Sequence, residues 1–260
     1  MMATGGGPLA DKGVVITRPL PQAEALGAAL LAAGARVILF PTIEILPPAD
    51  PAALEAVVDR LDRYDIAIFI SPNAARAAMT AIRSRRTWPG AVQAATIGRG
   101  GERELARQGV AGVIAPARFD SEGLLAMPAM QSVAGKRVVI FRGDGGRELL
   151  GDTLRERGAV VEYAACYRRA LPQADPAPVL AAWRDGRIDA VTVTSSEGLH
   201  NLFTLLGRAG REAMLGAPLF VPHARIAAAA RAAGCRRVSL TGQGDEGLLA
   251  GLCGWFAGGR

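Results

Sequence analysis

The chain has 260 residues, of which half are apolar and 21% are charged, a length and composition typical of one large or two smaller globular domains. This composition excludes disordered and fibrous proteins, and no run of about 18 uncharged apolar residues predicts a membrane span. Lys and Arg outnumber Asp and Glu by 30 to 24 and no signal-peptide pattern opens the sequence, so we expect a cytoplasmic protein with an anionic partner.

Short β-branched runs alternate with Ala- and Leu-rich helical stretches along the chain. The first half predicts strand 13–18, helix 21–33, strand 36–40, helix 51–61, strand 65–70 and helix 73–83. The second half predicts strand 137–142, helix 146–157, strand 159–163, helix 177–185, strand 188–194 and helix 197–207. Because the strands are continuously apolar, as strands covered on both faces are, the alternation predicts an α/β fold with parallel sheets.

The sequence resembles itself at an offset of 124 residues, with Val14–Ile16 falling on Val138–Ile140. The other matched positions are Arg18 and Arg142, Gly34 and Gly158, Ala35 and Ala159, Asp65 and Asp189, and Ser71 and Ser195. Matched valines are common in an apolar chain, whereas matched charged, glycine and serine residues at one offset are not. The pattern therefore indicates an internal duplication.

Two proline-bearing segments, 40–50 and 163–178, look like connectors and lie close to one repeat length apart. Proline fixes φ and removes a backbone donor, so these segments are predicted to be extended rather than helical. Two arrangements fit this pattern. The chain forms either tandem domains, one per repeat, or exchanged domains in which the middle forms one domain and the two ends form the other.

Small, glycine-rich or hydroxyl-bearing loops follow the predicted strands, where open parallel sheets bind ligands because helix N-termini present unpaired N–H groups. The candidate substrate-binding residues in these loops are Arg18, Ser71, Asn73, Gly98, Arg99, Gly101, Arg142, Gly145, Gly146, Ser195, Ser196, His223 and Arg225. The three serines can equally be helix N-caps, and Arg225 can equally be surface charge.

The expected ligand is a small polycarboxylate or phosphate. Nucleic-acid binders cluster basic residues among aromatics, whereas aromatics here are 5% and scattered. An Arg-rich source genome would also explain the positive charge, and the sequence leaves both explanations open.

Cofactor and metal motifs fail in context. GQGDEG at 242–247 matches a dinucleotide fingerprint, but only thirteen residues follow it, too few for the rest of a βαβ unit. The two histidines lie far apart, and the three cysteines form no C-x-x-C pair. We therefore predict no cofactor and no metal.

One long segment, Arg142–Arg169, is similar to the central signature of uroporphyrinogen-III synthases. The shorter segments TRP at 17–19, FPTIEI at 40–45, ISPNAAR at 70–76, RFDSEGLL at 118–125 and TSSEGLHNL at 194–202 follow in that family's order. This resemblance implies two flavodoxin-like, Rossmann-like parallel-sheet domains in the exchanged arrangement. The implied first domain is 1–40 plus 173–260, the second is 51–165, and segments 41–50 and 166–172 are a two-stranded hinge.

The resemblance also implies an activity: a monomeric, cytoplasmic lyase without cofactor or metal. Such an enzyme cyclises hydroxymethylbilane, which hydroxymethylbilane synthase could deliver, to uroporphyrinogen III. The reaction loses water and inverts ring D through a spiro intermediate, mainly by positioning the substrate in the interdomain cleft. No membrane or nucleic-acid partner is implied. A non-enzymatic two-domain binding protein for a small polycarboxylate is the alternative that the same loops allow.

The family pattern points to Tyr167 as the candidate catalytic residue, because a phenol can donate a proton to the departing hydroxyl. The alternative is that Tyr167 only packs across the hinge. Gly101 departs from the family pattern, in which a threonine often stands at that position, and its repeat mate is Arg225. A hydroxyl role at position 101 is therefore in doubt.

Overall fold

The protein is described by a computed structural model that covers residues 7–146 and 148–258. The strands in chain order are β1 (Gly13–Ile16), β2 (Arg36–Leu39), β3 (Glu44–Leu46), β4 (Ile66–Phe69), β5 (Gln93–Thr96), β6 (Arg137–Gly143), β7 (Val160–Ala170), β8 (Ala190–Thr192), β9 (Pro218–Val221) and β10 (Arg237–Leu240). The helices are α1 (Leu20–Ala32), α2 (Pro51–Asp59), α3 (Pro72–Arg83), α4 (Arg99–Arg107), α5 (Ser121–Leu125), α6 (Pro128–Gln131), α7 (Leu149–Glu156), α8 (Ala177–Arg184), α9 (Ser196–Gly216), α10 (Ala224–Ala232) and α11 (Gly244–Ala257).

The chain divides into two compact units. The first domain comprises Met1–Glu44 and Ala170–Arg260, and the second comprises Ile45–Arg169. The two ends of the chain thus build one domain and the middle builds the other, so the exchanged α/β arrangement is confirmed. The chain changes domain after Glu44 and after Arg169, whereas the sequence placed domain limits at 40, 51, 165 and 173. The limits differ because β3 and β7 are themselves neighbouring strands of one sheet.

Several predicted elements differ from the observed ones. The predicted helix 146–157 begins only at Leu149, because Gly145 and Gly146 have φ values of +125° and +131°. The part of this prediction at Arg147 lies outside the described residues. The predicted strand 159–163 continues to Ala170, and the predicted helix 197–207 continues to Gly216 past a break at Gly207 with φ +56°.

The first sheet has the order β10-β9-β8-β1-β2, and all its strand pairs are parallel. Numbered along this domain, the order is the 2-1-3-4-5 of flavodoxin-like folds. The second sheet has the order β3-β7-β6-β4-β5, with β4, β5, β6 and β7 parallel and Ala95 bridging to Ile114 beyond β5. The flavodoxin-like class predicted for both domains is confirmed.

The internal repeat explains how the two sheets are built. β1 and β2 begin at residues 13 and 36, and their repeat mates β6 and β7 begin at 137 and 160. Each sheet combines the first two strands of one repeat with the later strands of the other. The matched aspartates serve this assembly, because Asp189 accepts a hydrogen bond from the Gly13 N–H at 2.8 Å and Asp65 accepts one from the Arg137 N–H at 2.7 Å.

Both sheets are buried on their two faces, which explains why their strands read as continuous apolar runs. In the second domain, Phe69 and Phe141 stack at 5.1 Å on one face, and Ile68 and Ile140 pack on the other. Among the described residues, no helix is both long and apolar enough to cross a lipid bilayer.

Candidate active site

Flavodoxin-like sheets bind ligands beyond the carboxyl ends of the two strands where the strand order reverses. In the first domain these strands are β1 and β8, and in the second they are β6 and β4. The candidates at the first switch point are Arg18, Ser195 and Ser196, and those at the second are Ser71, Asn73, Arg142, Gly145 and Gly146. Most of the residues predicted from the sequence therefore converge on these two loop clusters.

Ser71 begins helix α3 at the second switch point. Its Oγ accepts a hydrogen bond from the Ala74 N–H at 3.0 Å, so the N-cap interpretation holds for this serine. The same Oγ lies 3.4 Å from the hydroxyl of Tyr167. Asn73 lies in the first turn of this helix, half-buried. The N-terminus of α3, with its partial positive charge, therefore lies beside the phenol.

Tyr167 lies on β7 and is 3% exposed. It is paired in register with Gly143, and a Cβ on Gly143 would lie 2.9 Å from the Tyr167 Cζ. Glycine at 143 is therefore required for the ring to lie across the end of β6. Tyr167 belongs to the hydrophobic core of the second domain, and its hydroxyl lies close to the switch point.

Arg142 is the penultimate residue of β6 and is 6% exposed. Its Nη1 donates to Glu148 at 2.8 Å, and its guanidinium lies 4.6 Å from the centre of the Tyr163 ring. Nε and Nη2 have no acceptor among the described residues. The hydrogen bond from Arg142 lowers the pKa of Glu148 below its ordinary value. Gly145 and Gly146 form an exposed turn shortly after the end of β6.

Helix α4 carries three further candidates of the second domain. Gly98 is its N-cap, and the guanidinium of the exposed Arg99 lies 5.2 Å from the centre of the Phe119 ring. A Cβ on Gly101 would lie 2.1 Å from Thr96 Oγ1, whose hydroxyl donates to the Phe69 carbonyl at 2.9 Å. The buried Thr96 hydroxyl fills the space that a side chain at 101 would need. This explains the departure from the family threonine.

The first switch point has a matching arginine and a matching serine, but their hydrogen-bond partners differ from those at the second. Arg18 donates through Nη1 to Asp245 in the first turn of α11. Ser195 caps α9, its Oγ accepting from the Gly198 N–H at 2.9 Å. The Oγ of Ser196 is buried and has no hydrogen-bond partner among the described residues.

His223 and Arg225 lie elsewhere on the same edge of the first sheet. Both are exposed at the start of α10, which follows β9, the strand beyond β8. The structure therefore does not group them with Arg18 and Ser195 at the switch point.

Sequence reasoning missed the side chains that hold the two arginines. Glu148 stands six residues after Arg142 beside a helix start, where acidic residues are common, so this signal was available. Asp245 is 227 residues from Arg18, and no local pattern joins them. Tyr163 ends the predicted strand 159–163, and no sequence pattern indicates its contact with Arg142.

The cysteine nearest the site does not supply a nucleophile. Burial raises the pKa of Cys166 to about 12, and its thiol lies 3.2 Å from the Arg142 carbonyl. A thiol with this pKa is not ionised near neutral pH, so Cys166 packs as a small hydrophobic residue.

Comparison with known proteins assigns the chain to a family. The family model described as uroporphyrinogen-III synthase HemD matches residues 24–249. The uroporphyrinogen-III synthases of Salmonella typhimurium and Escherichia coli are 35% and 34% identical over 241 residues, which cover 91% of this chain and 97% of each relative. A mutant uroporphyrinogen III synthase from Thermus thermophilus shares the fold, with a TM-score of 0.56 at 22% identity over 94% of this chain and 97% of that one. The chain belongs to the uroporphyrinogen-III synthase family.

Proposed function

We propose that this protein is a uroporphyrinogen-III synthase, a lyase that closes hydroxymethylbilane into uroporphyrinogen III with loss of water and inversion of ring D. Membership of the family over nearly the full length of its relatives supports the activity. The observation that carries the proposal is the pair of matched switch points, each with an arginine at its strand end and a serine-capped helix beside it.

The chemistry requires orientation more than strong acids or bases. The terminal hydroxyl of the bilane leaves as water after taking up a proton, and an azafulvene cation remains. The substituted α-carbon of ring D attacks this cation and forms a spiro intermediate. That intermediate fragments, and the ring closes through the other α-carbon of ring D with release of a proton. Holding the ends of the bilane in the attacking geometry is a proximity effect.

The substrate carries eight carboxylates, and the two loop clusters supply groups that bind carboxylates. In the proposal, Arg18, Ser195 and Ser196 of the first domain, with His223 and Arg225 further along the edge, bind some of them. In the second domain the binding residues are Ser71, Asn73, Gly98, Arg99, Gly101, Arg142, Gly145 and Gly146. The glycines and the first-turn residues act through backbone N–H groups, which need no particular side chain.

Tyr167 is the proposed donor to the departing hydroxyl. Its phenol is near Ser71 at the switch point, and a phenol O–H can donate a hydrogen bond. The proposal also includes a monomer that works in the cytoplasm on bilane released by hydroxymethylbilane synthase.

A coupled assay tests this function. Hydroxymethylbilane synthase supplies fresh bilane, and the products are oxidised and separated as type I and type III isomers. We expect the bilane to close to the type III isomer when the purified protein is present, and to the type I isomer when the protein has been heat-denatured. A protein that binds the bilane but leaves the isomer ratio unchanged would instead be a polycarboxylate-binding protein.

A further inference from the structure

The guanidinium of Arg142 has one complete edge without a partner. Nε and Nη2 lie side by side on a guanidinium and point in the same direction, so together they match the two oxygens of one carboxylate. Both atoms are buried, as is the whole Arg142 side chain, which is 7% exposed. Neither atom has an acceptor among the described residues. A buried cationic donor pair without an acceptor is costly and calls for a ligand or another physical reason.

Two other arginines of the second domain show how this edge is normally filled. In Arg85, Nε and Nη2 donate to the two carboxylate oxygens of Asp59 at 2.6 Å each. In Arg76, the same two atoms donate to the two oxygens of Glu104 at 3.4 and 3.1 Å. Both side chains are more exposed than Arg142, at 37% and 34%. The most buried of the three arginines is the one whose side edge holds no carboxylate.

The surroundings of Arg142 fix the guanidinium and leave this edge for an anion. Glu148 holds Nη1, and the Tyr163 ring packs against the guanidinium at 4.6 Å. A Cβ on Gly146 would lie 3.0 Å from Nη2, closer than ordinary van der Waals contact. A side chain at 146 would therefore crowd this nitrogen, and glycine lets the turn lie close to the guanidinium.

We propose that the Nε–Nη2 edge of Arg142 binds one carboxylate arm of the substrate in a bidentate manner, with Tyr163 and Glu148 as positioning residues. Assignment of that carboxylate to the bilane rests on the proposed function. Because both nitrogens are closed to solvent, the exposed turn at Gly145 and Gly146 shifts outward when the carboxylate enters. The positive φ values of these two glycines give the turn backbone states that other residues rarely adopt.

The experiment uses the full-length protein labelled with ¹⁵N and follows arginine Nε–H resonances during titration with sodium propionate, against sodium chloride at the same ionic strength. The Arg142 resonance is assigned by its loss in Arg142→Lys, and the Arg85 resonance by its loss in Arg85→Gln. We expect a saturable propionate shift of the Arg142 resonance and less than about a tenth of that shift at Arg85, whose edge Asp59 already fills.

The coupled assay gives the second measurement. Arg142→Lys keeps the charge but loses the planar fork, so the KM for bilane should rise by about 10- to 100-fold, the effect of one charge-assisted interaction. Arg85→Gln removes an arginine outside the site and should keep the wild-type KM. Equal KM values for wild type and Arg142→Lys would overturn the proposal and leave the proposed function standing.

Two further outcomes also decide the matter. If Arg142→Lys does not fold, the wild-type titration suffices, because absence of any arginine Nε resonance that saturates with propionate contradicts the proposal. Inorganic phosphate that displaces propionate with a lower Kd would assign the edge to phosphate groups and overturn it as well. Saturable propionate binding at Arg142 in a protein that does not change the isomer ratio would refute the proposed function alone.

Discussion

The two switch points occupy matched positions of a duplicated sequence but differ in how their arginines are satisfied. Arg18 is held by Asp245 from a distant helix, and its side chain is 12% exposed. Arg142 is more buried, is paired with the largely exposed Glu148, and keeps one edge without an acceptor among the described residues. The difference teaches that matched arginines of a duplicated sequence can reach different states: the donors of one are bound by a distant carboxylate, whereas the other retains an edge at which a carboxylate is proposed to bind.

The largest change in stability is expected at residue 101, where the structure leaves no space for a side chain, whereas the matched residue 225 in the first domain is exposed. Gly101→Thr would place a side chain against Thr96 Oγ1, so we expect the free energy of unfolding to fall by about 3 kcal/mol. Its repeat mate Arg225 is exposed, and Arg225→Thr should change stability by less than about 0.5 kcal/mol. Urea unfolding of both variants measures this difference, and equal losses would contradict the packing explanation.

Removal of Arg18 should lower the stability of the protein, whereas removal of Arg142 should not. Arg18→Met leaves the partly buried Asp245 without its cation, and we expect a loss of about 1–2 kcal/mol. Arg142→Met removes two buried donors without acceptors, so stability should stay constant or rise by about 1 kcal/mol. A clear loss of stability in Arg142→Met would show that this arginine stabilises the fold.

The ion pair between Glu104 and Arg76 in the second domain is expected to be sensitive to acid, and the repeat position that matches Glu104 carries no acidic residue. Burial raises the pKa of Glu104, but hydrogen bonds from Arg76 and Gln108 outweigh it, so the pKa lies below its ordinary value. Its contribution is complete above the unfolded-state value of 4.5 and is lost as the pH falls through the lower folded-state pKa. The repeat mate of Glu104 is the apolar Ala228.

Glu104→Gln should therefore lower the free energy of unfolding by about 2 kcal/mol at pH 7 and should flatten the loss of stability in acid. Glu102→Gln, on the exposed side of the same helix, is the control and should preserve the acid dependence. Parallel stability curves for wild type and Glu104→Gln below pH 5 would exclude this carboxylate as a source of acid sensitivity.

The candidate proton donor also lacks a counterpart in the first domain, where the repeat mate of Tyr167 is the buried Ile43. Tyr167→Phe should keep the stability nearly unchanged, because the hydroxyl makes one long contact to Ser71. Turnover should fall by about tenfold, with accumulation of the type I isomer. Tyr64→Phe removes a hydroxyl bonded to Glu162 before β4, and should keep the wild-type isomer ratio.

The smallest effects should be equal in the two domains. Ser71→Ala and Ser195→Ala each remove an N-cap hydrogen bond of about 3 Å, and each should cost about 1 kcal/mol. Thermal unfolding of both variants checks this equality. A substantially larger loss in one of them would show that its serine supports more than the helix start.

The sequence predicted the parallel sheets well because hydrophobic runs report burial directly. The matched Asp65 and Asp189 were also informative, since each accepts a hydrogen bond from the backbone N–H of the first residue of a strand in its own sheet. The segment after residue 163 was predicted to be an extended connector but not to continue β7 to Ala170, because the polar residues Arg168 and Arg169 are exposed at the end of the strand and hide its continuation.

The position of the candidate site was predictable from the sequence, but the interactions that hold its side chains were not. Strand ends and loop composition located Ser71, Arg18 and Arg142, since these depend on local sequence. Burial of the Arg142 guanidinium and closure of Arg18 by Asp245 depend on packing between distant segments, which periodicity does not report. The steric reason for glycine at 101 could not be predicted either, because Thr96, the residue that fills the space, belongs to another element.

The exchange of strands between repeats has a consequence for how the protein is made. Ile45–Arg169 is one continuous stretch, so this domain has all its strands except the start of β3 as soon as residue 170 has been synthesised. The first domain begins with β1 and β2, yet β8 cannot pair with β1 until residue 192 has left the ribosome. During translation, β1 and β2 have only each other as partners while the domain after them folds. The free edge of β1 is then exposed to wrong pairing, so this early segment is the one that chaperones would need to protect.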